Sequence, residues 1–174
     1  MADPHFPLRG LRVLEWTDGI AAPFAARLLA DAGADVVKVE PPEGDSARRE
    51  GPFPDDRPHR ERSGFFAYLN RGKRSIVLDQ TMAAGREHLR RLLGAADIFV
   101  YDRPELVESA LGASAPALRS TSPRLIAVSL TPFGERGPHA GWRADDLIVV
   151  SAGGLAFATP GFPDHVAAGE TDPP

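Results

Sequence analysis

The chain has 174 residues, 43% of them hydrophobic and 25% charged, with a net charge of −4, a balance that excludes disorder along its whole length. With no cysteine, a disulfide framework, a thiolate zinc site and a cysteine nucleophile are excluded together. The mild acidity argues against nucleic acid, and no apolar run approaches the ~20 residues of a membrane span. The opening Met1-Ala2-Asp3-Pro4-His5 lacks the basic-then-apolar order of a secretory signal, so a cytoplasmic protein is expected.

Leu11 to Glu15 is a short apolar run and predicts a first strand. A helical pattern follows from Pro23 to Ala32, with Phe24, Leu28 and Leu29 on one face, Pro23 in the first turn and Gly33 at the stop. Asp35 to Glu40 reads as a second strand ended by Pro41-Pro42, and this strand-helix-strand spacing implies a right-handed parallel crossover. Residues 41–62 carry charge and proline without periodicity, and a loop this long in a compact domain is usually functional or mobile. Phe65, Phe66, Tyr68 and Leu69 predict a short helix, and Ser75 to Leu78 a third strand.

Met82 to Ala95 gives the clearest helix, with Leu89, Leu92 and Leu93 inward. Asp97 to Tyr101 predicts a fourth strand, broken by Asp102-Arg103-Pro104. A helix near Ser114–Thr121 then leads to a fifth strand at Arg124–Leu130. Asp145 to Ala156 is read as helical, weakened by Gly153-Gly154, and from Thr159 the chain is rich in proline and glycine. The class is α/β, a mainly parallel sheet with helices on both faces. Ligands of such sheets gather at the carboxyl ends of the strands, which selects the loops after Glu15, Glu40, Leu78, Tyr101 and Leu130.

The residues do not fit the commoner chemistries well. Gly19 lies in the turn after the first strand, but Ile20-Ala21-Ala22-Pro23 follows, with no second glycine to admit a dinucleotide pyrophosphate, so an NAD(P)-binding oxidoreductase is disfavoured. No serine sits in a Gly-x-Ser-x-Gly elbow, and His59 and His139 lie in polar loops where solvation explains them. No His-x-x-x-His pair occurs. The adjacent pairs Asp55/Asp56 and Asp145/Asp146 diverge on any regular element, so no metal is expected. Lys38 and Lys73 are the only lysines; the remaining basic residues are arginines, suited to planar grips on phosphate and carboxylate.

The order of segments resembles the family III CoA-transferases, the CaiB/BaiF group. The resemblance rests on Pro7 to Glu15, Ala21 to Ala25, Leu28 to Pro42, the Asn70-Arg71-Gly72-Lys73-Arg74-Ser75-Ile76-Val77-Leu78-Asp79 segment, Ser122 to Ile126, and Ser129 to Pro138 followed by Asp146 and Gly153-Gly154-Leu155. It implies a Rossmann-like domain over 1–158 that binds coenzyme A, with 159–174 leading toward a C-terminal half. By position the CoA pocket involves Ile20, Ala21, Pro41, Leu78 to Thr81, Asp102, Arg103 and Arg143 to Asp146, with Arg71, Lys73, Arg74, Arg103 and Arg143 available to screen phosphates, or Arg74 instead an exposed strand-entry charge. The chain departs from the family at Ile20, Thr81 and Asp102, where a polar, a basic and an asparagine residue are often found.

The resemblance further implies acyl-CoA and a carboxylic acid as reactants, and a homodimer or an association with a C-terminal half. An aspartate would attack the thioester and carry CoA as an aspartyl thioester, splitting one hard exchange into easier ones. Asp164 and Asp172 fall too early for that residue, so the catalytic aspartate is expected beyond Pro174 and the chain alone is expected to be inactive. A racemase branch places a histidine where Asp145 stands, which disfavours racemisation. A non-catalytic subunit acting through a partner chain is the alternative reading.

Overall fold

Alternating apolar and amphipathic segments become a parallel sheet with helices between its strands. The computed structural model describes residues 6–114, 117–118, 120 and 122–158. Strand β1 spans Arg12–Trp16, helix α1 Ala21–Asp31 and strand β2 Asp35–Glu40. The long loop holds two 3-10 turns, Ser46–Arg49 and Pro54–Asp56, before α2 at Gly64–Asn70. Then come β3 at Arg74–Val77, α3 at Ala83–Ala95, β4 at Ile98–Tyr101, α4 at Pro104–Leu111 and β5 at Ile126–Ser129. Two short helices follow, α5 at Asp146–Ala152 and α6 at Leu155–Ala158. The chain divides between Thr131 and Pro132 into two compact units.

The strand order is β3-β2-β1-β4-β5, and all four pairings are parallel. Glu15 of β1 lies opposite Lys38 of β2, and Trp16 opposite Tyr101 of β4. The chain winds outward from β1 to β3, then α3 carries it back to β4 on the other side of β1. The carboxyl ends of β1 and β4 therefore bound the crevice where such sheets receive ligands.

Each face of the sheet has its own core. On one, Leu14, Trp16, Val39, Phe99 and Tyr101 pack under Leu89 and Leu93 of α3 and Val107, Ala110 and Leu111 of α4. On the other, Val13, Val36 and Val100 meet Ala22 and Ala26 of α1, whose small side chains bring the helix close. Each fully buried Leu or Phe contributes about 1.5–3 kcal/mol.

The differences from the sequence reading have local causes. Helix α1 starts at Ala21, because Pro23 is tolerated anywhere in a first turn. Helix α4 was not expected: Pro104 breaks β4 and at the same time opens a helix, which Gly112 ends at φ 72°. Part of the helix expected near Ser114–Thr121 lies outside the described residues. The expected helix from Asp145 to Ala156 is split at Gly153-Gly154, where Gly154 has φ +78°.

Candidate functional site

A cavity of about 450 Å³ opens between the β1–α1 turn and the β2–α2 loop, lined by Gly19, Ile20, Ser46, Ala47, Glu50, Gly51 and Phe65. Its size is that of a small-molecule site. One wall is the start of α1, where Ile20 stands at the N-cap without supplying a side-chain acceptor, so the first-turn amides remain available to negative charge. The opposite wall is the 3-10 turn Ser46–Arg49, and Phe65 on α2 closes the far side.

The wall is held by buried charge. Asp45 caps the 3-10 turn by accepting the Ala47 N–H at 2.8 Å, and its other oxygen lies 2.7 Å from Lys38 Nζ. Lys38 also donates to Glu15 Oε1 at 3.0 Å and to the Thr17 carbonyl at 3.1 Å. Lys73 Nζ stands 2.7 Å from Glu15 Oε2 and donates to the Pro23 carbonyl at 2.8 Å. Glu15 Oε2 and Asp45 Oδ2 lack a hydrogen bond of good geometry, so their lysine contacts are ionic rather than directed. Two carboxylates and two ammonium groups thus neutralise one another inside the protein.

The two lysines respond in opposite ways. Burial works to lower the Lys38 ammonium, but the charges of Glu15 and Asp45 overcome it and hold its pKa above the ordinary lysine value. Burial wins at Lys73, which is lowered despite Glu15. Burial also raises Asp45, against the pull of Lys38.

A second set of contacts continues the anchoring. Glu40 accepts from Arg48 at 2.6 and 2.8 Å, from the Asp45 N–H at 3.1 Å, and from the Ser75 hydroxyl. Burial alone would raise the Glu40 carboxyl, but these donors hold it down at about 2. Arg48 stacks over Phe66 at 3.7 Å and reaches Glu61 at 3.1 Å. Ser63 donates to the carbonyls of Ala47 and Glu50, pinning both ends of the cavity wall to α2.

At the β1/β4 crevice Asp18 joins three loops. Its N–H donates to Asp102 at 2.7 Å, and its carboxylate accepts the Ser46 N–H at 2.7 Å. Burial favours a raised pKa for Asp18, but the bonds to Ser46 and the charge of Arg103 bring it below the ordinary value. Burial raises Asp102, against the Asp18 amide and Arg103.

Of the residues singled out in the sequence, Ile20 lines the cavity and Ala21 opens the helix beside it. Pro41 leaves β2 and accepts the Gly44 N–H at 2.8 Å. Leu78 follows β3, its N–H donating to the Glu40 carbonyl. Thr81 is engaged with Asp79, whose carboxylate accepts its hydroxyl at 2.6 Å and its N–H at 2.9 Å. That loop rests on α3 so closely that a Cβ at Gly85 would meet the Asp79 carbonyl at 1.9 Å. Asp102 orients the Asp18 loop and pairs with Arg103 at 3.1 Å. Arg143 and Asp146 belong to the second unit, where Asp145 caps α5 by accepting the Ile148 N–H at 3.2 Å.

Two of the five phosphate-screening candidates, Lys73 and Arg74, serve elsewhere. Lys73 is buried against Glu15, and Arg74 forms a bidentate pair with Asp35 at the amino end of β2. Arg71 is exposed, 3.7 Å from Asp31. The buried network of Glu15, Lys38, Asp45 and Lys73 was not anticipated. Its signal was present in β2, where Lys38 and Glu40 alternate with Val37 and Val39 and so share the face of Val36.

A model of the family described as CoA-transferase family III matches residues 8–169. A probable fatty acyl-CoA transferase of Mycobacterium tuberculosis is 37% identical over 160 residues, covering 91% of this chain and 40% of the relative. A succinate–glutarate CoA-transferase of Agrobacterium fabrum is 40% identical over 161 residues, again covering 91% and 40%. The crystal structure of a CaiB/BaiF family protein from Brucella suis superposes with a TM-score of 0.79 at 36% identity, covering 92% of this chain and 42% of that one. The chain spans about 40% of the length of the curated relatives it matches. With a match across most of its length and in its fold, the chain belongs to CoA-transferase family III.

Proposed function

We propose that this chain supplies the coenzyme A-binding region of an enzyme that moves CoA between carboxylic acids. The observation that carries the reading is the cavity at the first strand-helix turn, set at the ligand edge of a parallel sheet. The acyl-CoA thioester enters by this edge, with Ile20, Ala21, Pro41, Leu78, Thr81, Asp102 and Arg103 contributing to its pocket. Family membership supports the same assignment.

The transfer proceeds through an aspartate located after Pro174. Its carboxylate attacks the thioester carbonyl, the CoA thiolate leaves, and a mixed anhydride forms. The thiolate then attacks the aspartyl carbonyl of the anhydride, releasing the donor acid and leaving an aspartyl-CoA thioester. The acceptor carboxylate reverses these steps. Each tetrahedral oxyanion needs preorganised N–H donors, and first-turn amides of α1 beside the cavity are of the right kind.

Isothermal titration of the 174-residue protein with CoA tests the binding assignment, with saturable binding below millimolar ligand expected. No heat of binding at millimolar CoA would overturn a self-contained pocket. Transferase turnover by this chain alone would place the nucleophile within it, against the proposal.

A further inference from the structure

The cavity carries information about the acyl group. Among its lining residues Glu50 is the one with an ionisable side chain, and Ile20, Ala47 and Phe65 are apolar. One lining amide, the Ser46 N–H, is already committed to a second carboxylate, Asp18. Of the two basic residues on the same turn, Arg48 is turned to Glu40 and Glu61 and stacked on Phe66, and the exposed Arg49 is not among the lining residues. Negative charge therefore borders the cavity without a free basic residue in its lining. The Glu50 end of such a cavity does not suit an acyl chain that ends in a second carboxylate, since a like charge there lacks a partner.

We infer that the cavity between Ile20 and Glu50 receives the acyl portion of the thioester and selects monocarboxylic acyl groups with an apolar body, rejecting dicarboxylic ones through Glu50. The inference rests on the proposed CoA-binding role and adds the class of substrate. Apolar contact with Ile20 and Phe65 supplies affinity, and repulsion from Glu50 supplies the discrimination. A buried methylene is worth little in selectivity, whereas an unpaired charge is worth much more, so the terminal group matters more than chain length.

Pentanoyl-CoA and glutaryl-CoA have the same number of acyl carbons and differ at the far end, so they make a direct probe. Titrated into the 174-residue protein, pentanoyl-CoA is expected to bind more tightly than free CoA, and glutaryl-CoA about tenfold more weakly than pentanoyl-CoA. Glu50→Gln should close most of that gap while leaving the circular dichroism spectrum unchanged, because the Glu50 carboxylate has no partner among the described residues. Equal affinities for the two thioesters, or a gap that survives Glu50→Gln, would overturn the selectivity while leaving the CoA site standing. Failure of all three ligands to bind would instead overturn the CoA-binding role and this inference with it.

Discussion

The two faces of the central sheet are held by different forces. Under α3 and α4 the core is apolar throughout, with Phe99 and Tyr101 stacked at 5.1 Å beneath Leu89 and Leu93. Under α1 the same strands turn Glu15 and Lys38 inward, and these meet Lys73 and Asp45. Apolar burial is non-directional and secures the fold, while ion pairs and charge-assisted hydrogen bonds fix angles and positions. The charged face is the one that leads into the cavity wall, through Asp45 and the turn it caps. The molecule places geometric precision where a ligand edge needs it and leaves the opposite face to packing.

Breaking the charged face should have the larger effect. Lys38→Met leaves the carboxylates of Glu15 and Asp45 buried with Lys73 as their only ammonium neighbour, and is expected to cost about 3–5 kcal/mol in urea unfolding. It should also loosen the Ser46–Arg49 turn, seen as faster hydrogen exchange at the Ala47 amide. A loss below about 1 kcal/mol would mean that the network contributes little to the fold.

Leu89→Ala tests the apolar face, where Leu89 is 1% exposed. The expected cost is about 2–4 kcal/mol, set by transfer and by how far the cavity collapses. The contrast lies in the ligand: Leu89→Ala should leave CoA affinity within about twofold at temperatures where the variant is folded. A large drop in affinity from Leu89→Ala would erase the division of labour between the two faces.

The apolar face was the legible one. Leu89, Leu92 and Leu93 stand at helical spacing in α3, and the valines of β2 mark a strand directly. The strand-end loops could be located too, because a parallel α/β sheet leaves them few places to be. The charged face was hidden because Glu15 and Lys38 belong to different segments, and only the register of β1 on β2 sets them opposite each other. Asp18 and Asp102 are 84 residues apart in the chain, and nothing local announces their contact. Arg74 illustrates the converse: a basic residue in a matching motif suggested a phosphate, but its strand position directs it to the other edge.

A titration sharpens the comparison further. Glu40 is held down at about 2 in the folded state, from 4.5, by its hydrogen bonds to Arg48, Ser75 and the Asp45 amide. A carboxyl lowered on folding contributes stability that is fully present above its unfolded pKa and is lost as pH falls through its folded pKa. Unfolding free energy should therefore decline as the medium is acidified from about pH 5 toward about pH 2. Glu40→Gln is expected to flatten that slope, measured by denaturant unfolding at successive pH values. An unchanged slope would assign the acid sensitivity to other carboxylates.

The smallest effect is expected at Arg74, where the difference between a motif and its location is clearest. Its guanidinium grips Asp35 with contacts of 2.6, 2.7 and 3.0 Å, yet both side chains are more than half exposed. Solvent screens such a pair, and the order expected to remain after side-chain entropy is about 0–1 kcal/mol. Asp35 begins β2 at the amino edge, the end of the sheet opposite the cavity. Arg74→Ala should therefore move stability by no more than that and leave CoA affinity unchanged in the same titration. A severalfold loss of affinity without a loss of stability would show that phosphate reaches the amino edge after all, and the ligand would then have to lie across the sheet rather than along its carboxyl ends.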